Sequence, residues 1–329
     1  ASLYNEVYCV PTIVPTDHFE PVLYTGNGYP NSGTRQITTL DFQPDFTWIK
    51  ARNSTAYHTL VDSVRGVNKY LFSNATNSDY TQNGTGFLSF DSDGFSLGAD
   101  TNGDGVNRTN DGPYVSWNWK AGGAAVSNTD GTITSQVSVN TEAGFSIVSF
   151  TSNGAASPVS TGHGLSTVPE LVIFKNSDDT SQWPVFHKDI GFNGRLQLES
   201  TASVSTFTPF FDITSTTIAV RQSSLASNGN ECIAYCFHSV DGYSKIGSYT
   251  GNGSATGPTV VTGFRPAFVM LKCTTSSGTS WRILDNKRNT SNPRNKYLEA
   301  QDSFTEATSN HLNFYSNGFQ VITTDTSIN

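Results

Sequence analysis

The segment from residue 100 to residue 111 carries oxygen-bearing side chains at the spacing of a calcium-binding loop. Such loops supply about six to eight oxygens, from positions 1, 3 and 5, a backbone carbonyl at 7 and a carboxylate at 12. The residues at these positions are Asp100, Asn102, Asp104, Val106 and Asp111. Against this, the cation Arg108 stands at position 9, and Asp111 is shorter than the usual Glu. The segment predicts either a calcium site or a solvated hairpin loop. Calcium is the only cofactor that the sequence suggests.

Residue types that catalyse reactions are present, but not in a catalytic arrangement. Glycoside hydrolases need paired carboxylates. Asp91 and Asp93 lie in a turn and Asp178 and Asp179 in a loop, and their sequence context buries neither pair. No serine in a nucleophile elbow accompanies His163. The sequence therefore predicts no enzyme.

The cysteines also lack a chemical pattern. They stand at positions 9, 232, 236 and 273. Cys232 and Cys236 fall on one predicted strand, roughly 13 Å apart, which is too far for a disulfide. No second Cys or His pair completes a zinc pattern. We expect buried free thiols.

Composition narrows the class of partner. The chain has 329 residues and a net charge of −8, with 14% charged and 36% hydrophobic residues. An acidic chain without a basic run binds phosphate backbones poorly, so we expect no nucleic-acid partner. No apolar run approaches the roughly 18 residues that span a bilayer, so no membrane insertion is expected.

Short runs rich in Val, Ile, Thr and aromatic residues, separated by Gly, Pro, Ser and Asn, predict strands throughout. Clear examples are residues 46–49, 171–174 and 268–271. No convincing stripe of helical period occurs, although residues 293–318 leave room for a short helix. The predicted fold class is all-β.

Several sequence features recur in a fixed order and define three repeats. They are an aromatic residue before an Asn-Gly turn, a Pro six residues before a Lys, a partner strand, an apolar strand beside a Gly-Phe turn, and a closing strand. The Pro and Lys positions are Pro44 and Lys50, Pro169 and Lys175, and Pro266 and Lys272. Proline starts a strand because it lacks an N–H group, and we expect the lysine to end the strand in solvent.

The recurrence predicts three tandem β-sandwich, jelly-roll-like modules. The expected boundaries are an N-terminal attachment arm at 1–18, a first module at 19–123, a linker at 124–143, a second module at 144–242 and a third at 243–329. The third module lacks a counterpart of the closing strands around Trp117 and Tyr235. We expect either that the chain continues or that another chain supplies this strand.

Two Asp and Arg pairs recur after equivalent strands: Asp62 with Arg65, and Asp285 with Arg288. Residues three apart in a turn bridge to each other and to the backbone, which predicts structural pairs. The alternative is contact with a ligand. In the second repeat His187 replaces the Asp.

Aromatic and amide side chains in polar loops are candidates for surface contact with a ligand. Tyr29 and Tyr80 lie in such loops, as do Asn252 and Asn289. Aromatic rings stack on sugars, as in many lectins. Trp48, Trp183 and Trp281 alternate with apolar neighbours, which predicts core positions for them.

The repeats resemble tail-fibre and other virion structural proteins of marine tailed bacteriophages. The likeness covers roughly residues 19–329 and depends on the Tyr-Thr-Gly-Asn-Gly turn, residues 263–272, residues 285–289 and the Trp-Asn-Trp-Lys-Ala-Gly-Gly run at 117–123. It implies modules similar to concanavalin-type jelly rolls and a place on the surface of the phage particle, without catalytic residues. A fibre or spike that attaches to host-surface glycan is expected first, a head fibre or capsid decoration protein second, and a free carbohydrate-binding protein third.

The resemblance also implies partners. These are other virion proteins and further copies of the chain, with a trimer favoured. The apolar residues of the 1–18 arm predict that it packs on a neighbouring chain or on the particle, with residues 243–329 pointing toward the host. The alternative is that the arm folds back on the first module.

Overall fold

The computed structural model describes residues 13–101, 105–154, 159–206, 209–221 and 227–329. These residues form antiparallel strands, with short 3-10 turns at Pro15–Asp17 and Lys188–Ile190. The all-β prediction is therefore confirmed. Residues 293–318, considered for a helix, belong largely to two strands. The described part of the chain holds no helix that is long and apolar enough to cross a membrane.

The strands follow the order of the sequence repeats. In repeat 1 they are β1 (Phe19–Thr25), β2 (Arg35–Ile37), β3 (Phe46–Ala51), β4 (Thr59–Asp62), β5 (Lys69–Phe72), β6 (Tyr80–Thr81), β7 (Phe87–Asp91), β8 (Gly94–Leu97) and β9 (Pro113–Trp119). In repeat 2 they are β10 (Val126–Asn128), β11 (Ser135–Asn140), β12 (Phe145–Thr151), β13 (Thr161–Gly162), β14 (Leu171–Asn176), β15 (Pro184–His187), β16 (Gly194–Gln197), β17 (Ser205–Thr206), β18 (Phe211–Ile213), β19 (Thr217–Val220) and β20 (Glu231–Phe237). In repeat 3 they are β21 (Thr259–Val261), β22 (Phe268–Leu271), β23 (Arg282–Asp285), β24 (Arg294–Glu299), β25 (Ala307–Tyr315) and β26 (Gly318–Val321).

Each sheet is built from the strands of one repeat. Repeat 1 forms a sheet of order β1-β9-β3-β4-β5-β6 and a smaller sheet β2-β8-β7. Repeat 2 forms the order β10-β11-β12-β20-β14-β15-β16-β17 with a smaller sheet β13-β19-β18. Repeat 3 forms the order β21-β26-β25-β24-β23-β22. The repeats therefore join through side chains and loops rather than through a common sheet.

Side chains that alternate along the central strand of each repeat enter two different cores. In β3, Phe46 and Trp48 point into a core shared by all three repeats, whereas Ile49 packs within repeat 1. Because side chains of a strand alternate between its faces, a sheet buried on both faces needs apolar residues at successive positions. The continuous apolar runs of the sequence correspond to these doubly buried strands.

Equivalent positions of the three repeats meet in the shared core. They are Phe46, Leu171 and Phe268; Trp48, Ile173 and Met270; Leu60, Val185 and Ile283; and Leu71, Leu196 and Leu298. The Trp119 ring lies 6.3 Å from the Phe237 ring of repeat 2 and 5.7 Å from the Phe268 ring of repeat 3, between ring centroids. The three repeats thus surround one apolar centre in an approximately threefold arrangement.

The segment expected to be a linker contains strands of repeat 2. Strand β10 pairs with β11, and β11 pairs with β12. In β11, Val137 is buried in the repeat 2 core. The polar Ser and Asn residues of 124–143 predicted a loop, but alternation of apolar and polar residues in β11 suffices for a half-buried strand. The 124–143 linker is corrected accordingly.

The described end of the predicted arm packs on its own chain. Ile13 is buried. The backbone carbonyl of His18 accepts a hydrogen bond from the Lys120 N–H, and its imidazole Nδ1 lies 2.9 Å from Asn140 Nδ2. Residues 13–18 therefore pack on their own chain, against both repeat 1 and repeat 2, whereas residues 1–12 lie outside the described residues.

Candidate functional site

The Asp62 and Arg65 pair lies buried where repeat 1 meets repeat 2. Arg65 Nε donates to Asp62 Oδ2 over 2.7 Å, and the Arg65 backbone N–H donates to Asp62 Oδ1. The Tyr235 hydroxyl of repeat 2 donates to the same Asp62 Oδ2 over 2.8 Å. Arg65 also pairs with Asp79. Burial raises the pKa of Tyr235 well above its usual value, so this hydroxyl keeps its proton as a donor.

The Asp285 and Arg288 pair repeats this arrangement where repeat 3 meets repeat 1. Arg288 Nε donates to Asp285 Oδ2, and the Arg288 backbone N–H donates to Asp285 Oδ1. The Trp117 indole of repeat 1, at the position equivalent to Tyr235, donates to Asp285 Oδ2 over 3.1 Å. Burial alone raises the pKa of Asp285, but Arg288 and the hydrogen bonds outweigh it and hold the pKa below its usual value.

These pairs therefore lie between repeats rather than on an accessible surface. The side chains of Asp285 and Arg288 have no solvent exposure, and Asp62 has none. Each carboxylate accepts from its arginine, from backbone N–H groups and from an aromatic donor of the next repeat. In repeat 2, His187 stands at this position and accepts a hydrogen bond from the backbone N–H of Asp189.

Another set of equivalent residues also crosses the junctions in a cyclic order. The Trp183 indole of repeat 2 donates to the Phe72 and Ala75 carbonyls of repeat 1. The Trp281 indole of repeat 3 donates to the Gln197 carbonyl of repeat 2. His58 of repeat 1 takes the third equivalent position, and Ser73, whose N–H donates to the His58 carbonyl, donates its hydroxyl to the Ala300 carbonyl of repeat 3. The predicted core positions of Trp48, Trp183 and Trp281 are confirmed by their burial.

Two of the three lysines that were expected to end in solvent are buried instead. Lys50 and Lys175 have no exposed surface. The Lys50 ammonium donates to the Ala51 and Ser54 carbonyls, and the Lys175 ammonium to the Asn176 and Asp179 carbonyls and the Ser181 hydroxyl. The lysine thus satisfies the carbonyls of the turn that follows its strand, which the expectation of a solvated strand end missed.

Burial lowers the pKa of Lys175 to about 8 from its ordinary 10.5. Between these values the unfolded chain binds a proton that the folded chain has released, so this lysine adds stability as pH rises. We expect the free energy of unfolding of the native chain to rise relative to Lys175→Met by about 2 kcal/mol between pH 7.5 and 9.5. Urea titrations measure this, with Lys245→Met as a control that removes an exposed charge. A difference that is constant with pH would contradict the prediction.

The predicted calcium loop is described only in part, because Asn102 and Asp104 lie outside the described residues. Asp100 Oδ2 accepts hydrogen bonds from the backbone N–H groups of Val106 and Asn107. Asp111 Oδ2 lies 3.7 Å from Arg108 Nε. Among the described residues no group of three or more His, Cys, Asp or Glu side chains gathers as for a metal. The calcium site stays a prediction.

The carboxylates considered for hydrolysis bind hydroxyl and backbone groups. Asp91 accepts from the Ser89 and Ser96 hydroxyls, and Asp178 accepts from the Glu231 backbone N–H. The His163 imidazole is buried and accepts from the Leu165 N–H. The expectation of no enzyme stays a prediction.

The described cysteines Cys232, Cys236 and Cys273 are free thiols, the first two buried, as predicted, and Cys9 is not described.

The four residues proposed for surface contact are not joined to one another by any hydrogen bond or ring contact of the described residues. Tyr29 is exposed on the loop after β1, with the Arg108 guanidinium 5.5 Å from its ring centroid. Asn252 is exposed and accepts from the Ser254 N–H. Asn289 is half-buried and accepts from the Asn295 and Lys296 N–H groups, so it caps its own turn.

Tyr80 belongs to a row of aromatic rings on the edge of repeat 1, which we call the aromatic strip: Tyr57, Phe72 and Tyr80. The ring centroids of Tyr57 and Phe72 are 4.9 Å apart, and those of Phe72 and Tyr80 are 6.4 Å apart. Tyr57 is 51% and Tyr80 39% exposed. Sequence reasoning missed Tyr57 and Phe72, because only strand pairing brings residues 57, 72 and 80 together.

Fold and surface together define an all-β repeat protein with two Asp and Arg pairs buried in its junctions and an aromatic strip among its exposed apolar residues. The family described as "Domain of unknown function (DUF7483)" matches residues 14–329, so the chain belongs to this family. Neither the search of curated proteins nor that of solved structures returned a match.

Proposed function

We propose that the chain is a structural protein of a bacteriophage virion, a fibre or spike module that contacts glycan on the host surface. The resemblance of its repeats to virion proteins supports the location. The packing of three repeats around one core supports a rigid module rather than a flexible array. In this proposal the chain has no catalytic role, and its partners are other virion proteins and further copies of itself, as a trimer.

The aromatic strip is the observation that carries the glycan contact. Sugars present an apolar face that packs on aromatic rings, while ring hydroxyls bond polar groups at the rim. The strip offers exposed tyrosines with phenolic hydroxyls. The strip lies on the sheet edge formed by β6, so a chain-like ligand can lie across it without displacing the fold.

Removing the strip is expected to weaken glycan binding. We expect Tyr57→Ala with Tyr80→Ala to lower affinity for a bound bacterial surface polysaccharide by about tenfold or more, because two stacking contacts are lost. Arrays of purified bacterial polysaccharides identify the ligand, and calorimetry measures the variant. Tyr315→Ala is the matched control, since Tyr315 is also an exposed strand tyrosine at 44%. Equal affinity of the double variant and the control would contradict a role for the strip.

The location on the particle is tested separately. Antibodies against the purified chain, with gold labels in electron microscopy of virions, are expected to mark the tail fibre or spike. Label on the head would favour a head fibre or decoration protein instead. Glycan binding by a chain that labels no particle would favour a free carbohydrate-binding protein. Light scattering of the purified chain tests the proposed trimer.

A further inference from the structure

Within the described residues, strand β22 of repeat 3 has one open edge, whereas its equivalents in repeats 1 and 2 are paired on both sides. In repeat 1, β3 pairs with β4 and with the closing strand β9, and in repeat 2, β14 pairs with β15 and with the closing strand β20. Among the described residues β22 pairs with β23 alone. The described residues of repeat 3 therefore lack the counterpart of the closing strands β9 and β20.

The side chains of β22 show the same gap. Phe46 and Trp48 of β3 are buried, whereas the equivalent Phe268 and Met270 are only partly buried. The third lysine follows this pattern, because Lys272 is half-exposed while Lys50 and Lys175 are fully buried.

The backbone of β22 also has a side that is ready for pairing. The Arg52 N–H donates to the carbonyl of Pro113, the residue opposite it in the β3–β9 register. In an antiparallel pair every second residue directs its N–H and C=O groups to the same neighbouring strand, so Trp48 and Phe46 direct theirs toward β9. The Ser177 N–H bonds the Glu231 carbonyl in the same register of repeat 2. The equivalent Phe268 and Met270 therefore direct their N–H and C=O groups toward the open edge.

We propose that residues 4–10 of this same chain are the closing strand of repeat 3. Their sequence, Tyr-Asn-Glu-Val-Tyr-Cys-Val, aligns with Glu-Cys-Ile-Ala-Tyr-Cys-Phe of β20 and Pro-Tyr-Val-Ser-Trp-Asn-Trp of β9. Tyr8 then takes the place of Tyr235 and Trp117, and Cys9 that of Cys236 and Asn118. Residues 1–12 lie outside the described residues, so the proposed partner is absent from the structure.

The register of the two complete repeats gives specific contacts. Trp48 faces Trp117 and Lys50 faces Val115 across the β3–β9 pair. By equivalence Tyr8 faces Met270, and Glu6 faces Lys272. Glu6 places a charge where β9 and β20 have apolar residues, and it falls opposite Lys272, the one of the three equivalent lysines that is not fully buried. Opposite charges directly across a strand pair are favourable.

The chain is long enough to make this contact within one molecule. The Phe19 ring lies 5.6 Å from the Phe268 ring, between centroids, so the start of β1 is already beside the start of β22. In the proposed register Val10 faces Phe268, and the residues between Val10 and Phe19 need to span only this short distance. Repeat 3 would thus be closed by the N-terminal segment of the chain, and the ring of repeats would be joined end to end.

A disulfide reporter tests the register in the full chain. Cys9 is expected to face Val269, at the position of the Val172 and Cys236 pair. In this register that pair is not hydrogen-bonded, and its side chains are close. We expect Val269→Cys, in a Cys273→Ser background, to form a disulfide with Cys9 on mild oxidation, seen by mass spectrometry of the tryptic peptides. Val261→Cys, on the exposed face of β21, is the control and should not cross-link.

Every outcome decides the proposal. The introduced thiol of Val269→Cys can form a disulfide with Cys9 of the same chain or of a second copy. A disulfide found in the monomer supports closure within one chain. A link found only in covalent dimers would overturn it, because the strand would then come from a second copy. No link in a folded variant would overturn it as well.

Hydrogen exchange provides a test that needs no new cysteine. Slow exchange of the Phe268 and Met270 amides is expected in the full chain, and Tyr8→Pro should speed it by at least about tenfold, because proline cannot donate to the ladder. Asn5→Ala, whose residue keeps its N–H, is the control. Equal exchange in Tyr8→Pro and the native chain would exclude the proposed pairing.

Discussion

Replacing Arg288 by alanine is expected to destabilise the protein by about 3–5 kcal/mol. The substitution leaves the Asp285 carboxylate buried, with no exposure and without its cation. It also removes the donor to the Ile283 carbonyl and the cation over the Trp117 ring, 5.5 Å from the ring centroid. Denaturation with urea, followed by Trp fluorescence, measures the loss.

An exposed pair in the same chain provides the control. Arg221 pairs with Asp212, and their side chains are 30% and 44% exposed. Because water screens such pairs, Arg221→Ala is expected to cost less than about 1 kcal/mol. Arg288→Met with Asp285→Asn should recover part of the loss, since the uncompensated charge is gone and the amide oxygen still accepts one set of the hydrogen bonds that Asp285 accepts. Similar losses for Arg288→Ala and Arg221→Ala would contradict a special role for the buried junction.

The strands of this fold could be predicted from the sequence because their information is local. The run 46–49 consists of β-formers, three of them apolar, and it forms part of β3. The Asp and Arg pairs could be predicted for the same reason, since their residues lie three apart in one turn. The recurrence of these features at fixed order indicated the three repeats, and no sheet of the described residues mixes strands from different repeats.

What the sequence did not reveal depends on contacts between distant residues. Lys50 and Lys175 were expected in solvent, because nothing in a strand's own sequence shows that a turn will fold its carbonyls over the ammonium. One signal was available: a lysine held at the same offset in every repeat is unusual for a merely solvated residue. The aromatic strip was missed because its rings come from β6, the end of β5 and the loop before β4.

The sequence also contained an indication of the shared core, although three separate modules were predicted from it. A sandwich strand with one face in solvent alternates apolar and polar residues, whereas Phe46 to Ile49 is apolar or β-forming at every position. Such a strand needs cover on both faces. The structure provides that cover from the other repeats, so their junctions are part of the core rather than contacts between finished domains.

Replacing Trp183 by alanine is the second change for which we expect a large effect, about 3–5 kcal/mol of lost stability. Trp183 is fully buried, and its indole belongs to repeat 2 while its hydrogen-bond acceptors, the Phe72 and Ala75 carbonyls, belong to repeat 1. Trp183→Phe keeps one aromatic ring but loses the N–H donor and part of the buried indole, so it should cost less, about 1–3 kcal/mol. A smaller loss for Trp183→Phe than for Trp183→Ala would show that the remaining ring still fills part of the junction.

The location of the damage is the sharper result. Because the Trp183 ring fills the core shared by all repeats, Trp183→Ala is expected to speed amide exchange in residues 69–76 of repeat 1, although the change lies in repeat 2. Phe192→Ala, which removes a 45% exposed ring from repeat 2, should leave that exchange as it is. If faster exchange in Trp183→Ala stays within repeat 2, then the repeats are stable independently and the shared core does not couple them. If it reaches repeat 1, the junction between repeats 1 and 2 opens with the loss of the ring, because the Phe72 and Ala75 carbonyls are the acceptors of the Trp183 indole.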